Sequence, residues 1–358
     1  MWKPRRNNFF AGFGVETKIN LKKLSNGARQ KYDLISIGDT TVDAFIRLHE
    51  ASVHCDINKK NCQLCLSFAD KIPYENLTVV PAVGNASNVA VGIARMGLRS
   101  APFTAIGKDY YGEQILDVYR KEKVSREFVK INPRAQTNYH FVLNFQAERT
   151  ILIKQNKFDY FSLERIDGVP WLYLSSLGGP RLPLQASLAK YLQKHPEIKL
   201  GFNPATYELD PRSAKLRGLY RQTHVLFVNR EEAQKILKIK NQNVKLLFTG
   251  LHKLGPKIIL VTDGPDGSYV SDGRNQHYMP VYPDPKPPIS RTGAGEATST
   301  GFMAALIYGL SPVEAAMWAP INSMNVVQHI GAQTGLLTKK QLLGLLKKAP
   351  KNYKPKKL

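Results

Sequence analysis

Acidic residues and cysteines are scarce in this sequence, and no apolar run is long enough to cross a bilayer. Its 28 Asp and Glu stand against 51 Lys and Arg, a formal net charge of +23 over 358 residues. An excess of that sign selects anionic partners, whether nucleotide, nucleic acid or anionic lipid. Part of it lies at the two ends. Residues 1–31 carry Lys3, Arg5, Arg6, Lys18, Lys22, Lys23, Arg29 and Lys31 against the single acid Glu16, and residues 339–358 carry lysine with no acid. Such ends read either as solvated, partly disordered tails or as weak polyanion-binding arms. Without an apolar span the chain reads as soluble, with no membrane partner. It also lacks a secretory apolar segment. The N-terminal stretch has the Arg content of a transit peptide but little serine, and Gly12-Phe13-Gly14 suggests a turn within it.

The 3 cysteines are Cys55, Cys62 and Cys65, all in one stretch, with His54 beside the first. Cys-x-x-Cys with one more Cys and a His offers four zinc ligands, although the spacing is not that of a standard finger. The other reading is reduced thiols in a cytoplasmic protein.

At 43% apolar the chain has an ordinary globular composition and the length to bury a large core. Short apolar runs alternate with helical stretches. Strands are expected at 32–39 and 199–204, each ending in a turn, and at 41–48, 77–83, 101–107, 171–174, 224–229 and 257–262. Helices are expected at 84–97, 111–122, 184–195 and 230–237. Residues 138–145 and 149–154 read as a hairpin, 268–270 and 277–279 as a short antiparallel pair, and 49–76 as polar and irregular. No internal repeat or linker interrupts 32–350. The pattern predicts an α/β domain with a parallel sheet covered on both faces. Ligands of such sheets sit beyond the C-terminal strand ends. Asp39, Asp43, Asn203, Asn229, Glu232, Asp263 and Glu296 are all expected there.

One stretch organises the rest. A proline-rich loop from Asp284 runs into Thr292-Gly293-Ala294-Gly295-Glu296 and then into small apolar residues up to Leu306. A glycine-rich turn feeding a helix aims unpaired amides at an anion, most often phosphate. A carboxylate there repels phosphate, unless it takes a proton from the group that attacks the phosphate. A glycine cap followed by a favourable acid in the first helical turn explains the same letters.

Several blocks, in order, resemble the ribokinase-like (PfkB) family of sugar and nucleoside kinases. They are Gly38-Asp39 with Asp43; Val83-Gly84-Asn85-Ala86-Ser87-Asn88 leading to Ala94-Arg95-Met96-Gly97; Glu148-Arg149-Thr150; Phe202-Asn203-Pro204; Asn229-Arg230-Glu231-Glu232; Val261-Thr262-Asp263-Gly264-Pro265-Asp266-Gly267; and Thr292–Glu296. The resemblance covers about 32–345. It implies a three-layer α/β/α, Rossmann-like fold with a small β-sheet lid. The kinase domain would span 32–348, with its lid from about 44–82 and 137–154, between a basic N-terminal extension (1–31) and a basic C-terminal tail (349–358). It implies ATP and Mg²⁺ as cofactors and a small sugar or nucleoside as substrate, with a homodimer formed through the lid. By position, Asp43, Gly84 and Asn88 would hold substrate hydroxyls. Gly293, Ala294 and Gly295 would cradle the transferred phosphate, with Arg291 as helper. Asn229, Glu232, Thr262, Gly264, Gly267, Thr292 and Asn322 would contact the nucleotide, and Glu232 would reach Mg²⁺ through water.

The chain departs from the family pattern at Glu296, where the catalytic base is ordinarily Asp. The added methylene lengthens the reach by roughly 1 Å, a misplacement able to cost on the order of a hundredfold in rate. Ser290, Val83 and Arg230 depart as well, and the last adds positive charge beside the nucleotide. Two readings stand at this point: a kinase, possibly a slow one, or a kinase fold that binds nucleic acid or a ribonucleoprotein without catalysis.

Overall fold

The computed structural model describes residues 31–358 except 57–61, 147, 176, 178–181, 205–207 and 212. The expected basic extension at 1–31 lies outside the described residues, apart from Lys31. Along the chain, β1 (Leu34–Ile37) and β2 (Thr41–Leu48) lead to a short hairpin of β3 (Ser52–His54) and β4 (Gln63–Cys65), then to β5 (Tyr74–Val83) and α1 (Asn85–Arg95). Next come β6 (Ser100–Gly107), α2 (Tyr110–Lys121), β7 (Val129–Asn132), β8 (Tyr139–Phe145) and β9 (Glu148–Leu152). The chain continues through β10 (Trp171–Leu174), α3 (Leu182–Lys194), β11 (Lys199–Phe202), α4 (Ala214–Gln222), β12 (Thr223–Asn229), α5 (Arg230–Leu237), α6 (Val244–Lys253) and β13 (Ile258–Thr262). It closes with β14 (Ser268–Ser271), β15 (Gln276–Met279), α7 (Ala294–Ile307), α8 (Pro312–Val327), α9 (Lys339–Lys347) and β16 (Lys356–Lys357).

Among the described residues the main sheet runs β16-β15-β14-β13-β12-β11-β10-β1-β6-β7. From β7 to β13 neighbouring strands are parallel, and the last three are antiparallel. Strand parity explains the unbroken apolar runs. Ile35, Leu172, Leu226 and Ile259 pack on one face with Leu192, Leu219, Ile236 and Leu251 of α3–α6. Leu34, Tyr173, Phe227 and Leu260 pack on the other with Ile93, Phe302, Trp318 and Leu342 of α1, α7, α8 and α9. Both faces are covered, so the architecture is the expected three-layer α/β/α arrangement.

A second sheet, β5-β2-β8-β9, stands apart, with β2 and β8 parallel and the outer pairs antiparallel. The expected hairpin at 138–154 is its β8–β9 edge.

Two expectations fail. Residues 49–76 are not irregular throughout: among those described, β3, β4 and the start of β5 lie within them. Val53 faces Leu64 across the β3–β4 hairpin, and Cys55 is joined to Cys62. The basic C-terminal tail is docked: α9 is capped by Thr338, Tyr353 is buried against Tyr282, and β16 pairs with β15. Its lysines populate an exposed edge strand, where charge deters further strand pairing. Among the described residues no helix is long and apolar enough to cross a membrane.

Candidate active site

The glycine-rich turn leads into α7 as predicted. Gly293 is the N-cap, at φ 83°, and a side chain there would run into Ala332. Only glycine meets both demands. Ala297–Ala305 are buried because α7 is enclosed between α1 and α8, and a Cβ on Gly301 would press on the Trp318–Ala319 backbone. The preceding loop is anchored by Ile289 and Ser290, whose amides donate to the Val327 carbonyl. The Thr292 amide donates to Ser290 Oγ at 3.2 Å, while Thr292 Oγ1 is buried with no hydrogen-bond partner. An orphan hydroxyl at the N-terminus of a helix fits a phosphate oxygen.

Glu296 lies in the first turn of α7. Burial pushes its carboxyl up, opposed by its own backbone amide and by the Arg149 guanidinium of β9. Glu232 is raised too, first by burial, and Glu296 adds to the rise. The Tyr173 hydroxyl is buried and is pushed up by burial and by both carboxylates. A carboxylate raised by burial and by a second carboxylate suits a divalent cation, which would relieve the repulsion.

Asn229 ends β12 and caps α5. Its side chain accepts from the Glu232 amide at 2.8 Å, and Glu232 Oε2 accepts from the Asn229 amide at 2.9 Å. This reciprocal box leaves Glu232 Oε1 outside the cap. A cleft of about 480 Å³ opens here, lined by Asn229, Glu231, Glu232, Lys235 and Lys238 among others. Asn229 is in register with Thr262, which brings the two strand ends together. Gly264 and Gly267 bound the 3-10 turn that follows Thr262. Asn203 Nδ2 donates to the Phe227 carbonyl at 2.9 Å and so braces β12. Arg230 is not a free charge beside the nucleotide position. Its Nη2 reaches Asp263 Oδ2 at 2.6 Å and donates to the Tyr269 hydroxyl at 3.1 Å.

At the substrate end, Gly84 caps α1 at φ 97°, so close to β1's exit that a Cβ would sit 2.7 Å from the Asp39 carbonyl oxygen. Asn88 is buried and accepts from Gln333 Nε2 at 3.1 Å. Asp43 is pushed up to about 6 by burial, against the hydrogen bond donated by Thr41 Oγ1 at 2.9 Å. His140 Nδ1 lies 3.6 Å from Asp43 Oδ1.

Two sequence assignments are corrected. Asn322 is no nucleotide contact: it is fully buried, Nδ2 donates to the Ala297 carbonyl, and Oδ1 accepts from the Leu337 amide. Its amide is consumed in tying α8 to α7 and to the α9 approach. His54, Cys55, Cys62 and Cys65 do not form a zinc site. The Cys55–Cys62 disulfide consumes two thiols, which also overturns the reduced-thiol reading, and His54 and Cys65 lie on the opposite face of the hairpin by strand parity. Among the described residues no group of three or more His, Cys, Asp and Glu is placed to hold a metal. Arg291 is exposed. His140, Tyr173 and Gln333 escaped sequence reasoning because each is brought in by tertiary register. Arg149 was within a recognised block but carried no role.

Residues 50–339 match the family model described as pfkB family carbohydrate kinase. The chain is 25% identical over 294 residues to "Probable fructokinase-6, chloroplastic" of Arabidopsis thaliana, covering 74% of each protein. It is 24% identical over 272 residues to the ribokinase of Bacillus subtilis, covering 74% of this chain and 87% of that one. Among solved structures, that of Arabidopsis thaliana ribokinase complexed with ribose and ATP superposes with TM-score 0.74 at 18% identity, covering 88% of this chain and 99% of that one. Matched over residues 50–339 and carrying a glycine-rich turn into α7 and a separate four-stranded sheet, this chain belongs to the pfkB family of carbohydrate kinases and is a phosphotransferase.

Proposed function

We propose that this protein transfers the γ-phosphate of ATP to a primary hydroxyl of a small sugar or nucleoside. The observation that carries the reading is the glycine turn into α7, with Glu296 in its first turn and the buried Thr292 hydroxyl left without a partner. Glu296 accepts the proton of the attacking hydroxyl. The Gly293, Ala294 and Gly295 segment and Thr292 Oγ1 receive the transferred phosphoryl oxygens. Asn229 and Glu232 would hold Mg²⁺ through water, and Mg²⁺ when bound neutralises charge on the phosphate oxygens. Thr262 and the Gly264–Gly267 turn border the nucleotide, and Arg291 at the lip is a further cation for phosphate. Asp43, Gly84 and Asn88 orient the acceptor, and the lid sheet excludes water.

The experiment is ADP release with Mg·ATP over a panel of sugars and nucleosides. Turnover on a panel compound, with Glu296→Gln losing at least about a hundredfold in kcat while retaining ATP affinity, is expected. Unchanged turnover in Glu296→Gln removes the assignment. A nucleic-acid scaffold without catalysis rests on charge alone, and no observation at the site favours it.

The lid carries a further proposal, a homodimer. Val79, Phe141 and Leu152 are exposed and stand in one row with Ala44 across the four strands, and Leu77 and Ile46 follow in the next row. A contiguous apolar face of this kind suits a second copy of the chain.

A further inference from the structure

We propose that His140 is a specificity-determining residue of the acceptor pocket, acting beside Asp43 to favour substrates that present two adjacent neutral hydroxyls. The inference rests on the phosphoryl-transfer reading above.

The geometry begins with register. Asp43 of β2 and His140 of β8 are direct partners in a parallel pair, so their side chains share a face of the lid sheet. Val80 of β5 continues the row on Asp43's other side. That face looks toward the segment after α8, since a side chain at Gly331 would touch Val80. The same segment supplies Gln333, which is bonded to Asn88. The row therefore borders the pocket formed by Asp43 and Asn88.

The Asp43 and His140 side chains are 14% and 15% exposed. Their 3.6 Å separation exceeds a direct hydrogen bond and suits a hydroxyl oxygen lying against both. Burial holds the His140 imidazole below its ordinary range, partly offset by the Lys154 backbone carbonyl. A neutral imidazole has one donor and one acceptor nitrogen. His140 Nε2 is buried and makes no hydrogen bond of full geometry. With the proton on Nδ1, Nε2 is an acceptor facing no donor. With the proton on Nε2, Nδ1 is an acceptor set against the Asp43 carboxylate. Thr41 Oγ1 supplies one donor to Asp43. Either tautomer thus leaves a buried acceptor in need of a proton, and a polyhydroxylated substrate brings such protons. A carboxylate or phosphate at this end of the substrate would instead meet Asp43 as a like charge.

The test uses the full-length protein with Mg·ATP on matched pairs that differ by one hydroxyl, ribose against 2-deoxyribose and adenosine against 2′-deoxyadenosine. Wild type, His140→Leu and His140→Gln are compared in kcat and KM separately. The KM for ATP and the melting temperature serve as controls. Wild type is expected to prefer the hydroxylated partner by about tenfold or more in kcat/KM. His140→Leu should bring that preference within about threefold, mainly by raising KM, while the KM for ATP holds. His140→Gln, which keeps a donor and an acceptor, should retain part of the preference, and it carries the test if the leucine variant does not fold. An unchanged preference, or a uniform fall in kcat, assigns His140 a structural role and overturns the inference alone. If wild type turns over none of the panel, the phosphoryl-transfer reading falls and takes this inference with it.

Discussion

Arg230 and Asp263 meet at 2.6 Å, joining the first residue of α5 to the end of β13. The guanidinium also lies 5.4 Å over the Tyr269 ring. A cation at a helix N-terminus is opposed by the macrodipole, and Asp263 offsets it. The side chains are only 22% and 17% exposed, so removing one partner leaves a poorly solvated charge. Asp263→Asn is expected to destabilise by about 1–3 kcal/mol. It should also raise the KM for ATP, because the pair positions the Thr262–Gly267 segment. Arg230→Met combined with Asp263→Asn should recover most of the stability loss. A double-mutant cycle in thermal or denaturant unfolding measures the coupling, and additive single effects would contradict it.

How much of this was legible beforehand follows from what each signal depends on. The turn at Thr292–Glu296 does lead into a helix as its local pattern predicts, and the Asn-x-x-Glu spacing at Asn229 and Glu232 is that of a capping box, a local reason for the motif that the resemblance alone does not supply. The α6 helix also shows its period, with Val244, Leu247, Phe248 and Leu251 buried at helical spacing, yet it was not assigned. The Asp43–His140 pairing depends on the register of two strands far apart in sequence, which no local pattern encodes. Asn322 is expected at the nucleotide by resemblance, but polarity alone does not tell a ligand contact from a core tie. The C-terminal lysines looked like a solvated tail because an edge strand of Lys and Pro carries no apolar signature. Arg230 read as added charge because its neutralising partner lies on another strand.

Asp43 predicts an opposition between stability and function. Its carboxyl moves from 3.8 up to about 6 on folding, so the native state binds the proton more tightly. The stabilising contribution is full below 3.8 and is lost as pH rises through about 6. Above that range, ionised Asp43 costs roughly 3 kcal/mol. Asp43→Asn, neutral throughout, should raise the melting temperature at pH about 8 and leave it nearly unchanged at pH about 4. Sugar turnover should fall at least about tenfold in the same variant. Melting curves at the two pH values decide it, and a lower melting temperature at the higher pH would contradict the assignment.

The lid face predicts an oligomer. Phe141 stands in the exposed row with Val79 and Leu152, and a charge there would have to be buried in a paired lid. Light scattering should give a dimer for the wild-type protein and a monomer for Phe141→Asp, with the melting temperature of the monomer little changed. A monomeric wild type at micromolar concentration would remove the proposal.

The Cys55–Cys62 disulfide closes the β3–β4 hairpin beside the lid. Cys65 is the free thiol and is partly exposed. Thiol titration of the native protein under non-reducing conditions should therefore count one reactive cysteine, rising to three after reduction in denaturant. The closed loop is short, so the cross-link restricts few unfolded conformations, and its loss should cost about 2–3 kcal/mol at most. That cost falls on the hairpin, which makes few contacts with either core. Reduction should thus leave the main melting transition nearly in place and open the 52–65 segment to proteolysis. A count of three thiols in the untreated protein, or stoichiometric zinc released on thiol modification, would show that the cysteines are not paired as described and would restore a metal to this hairpin.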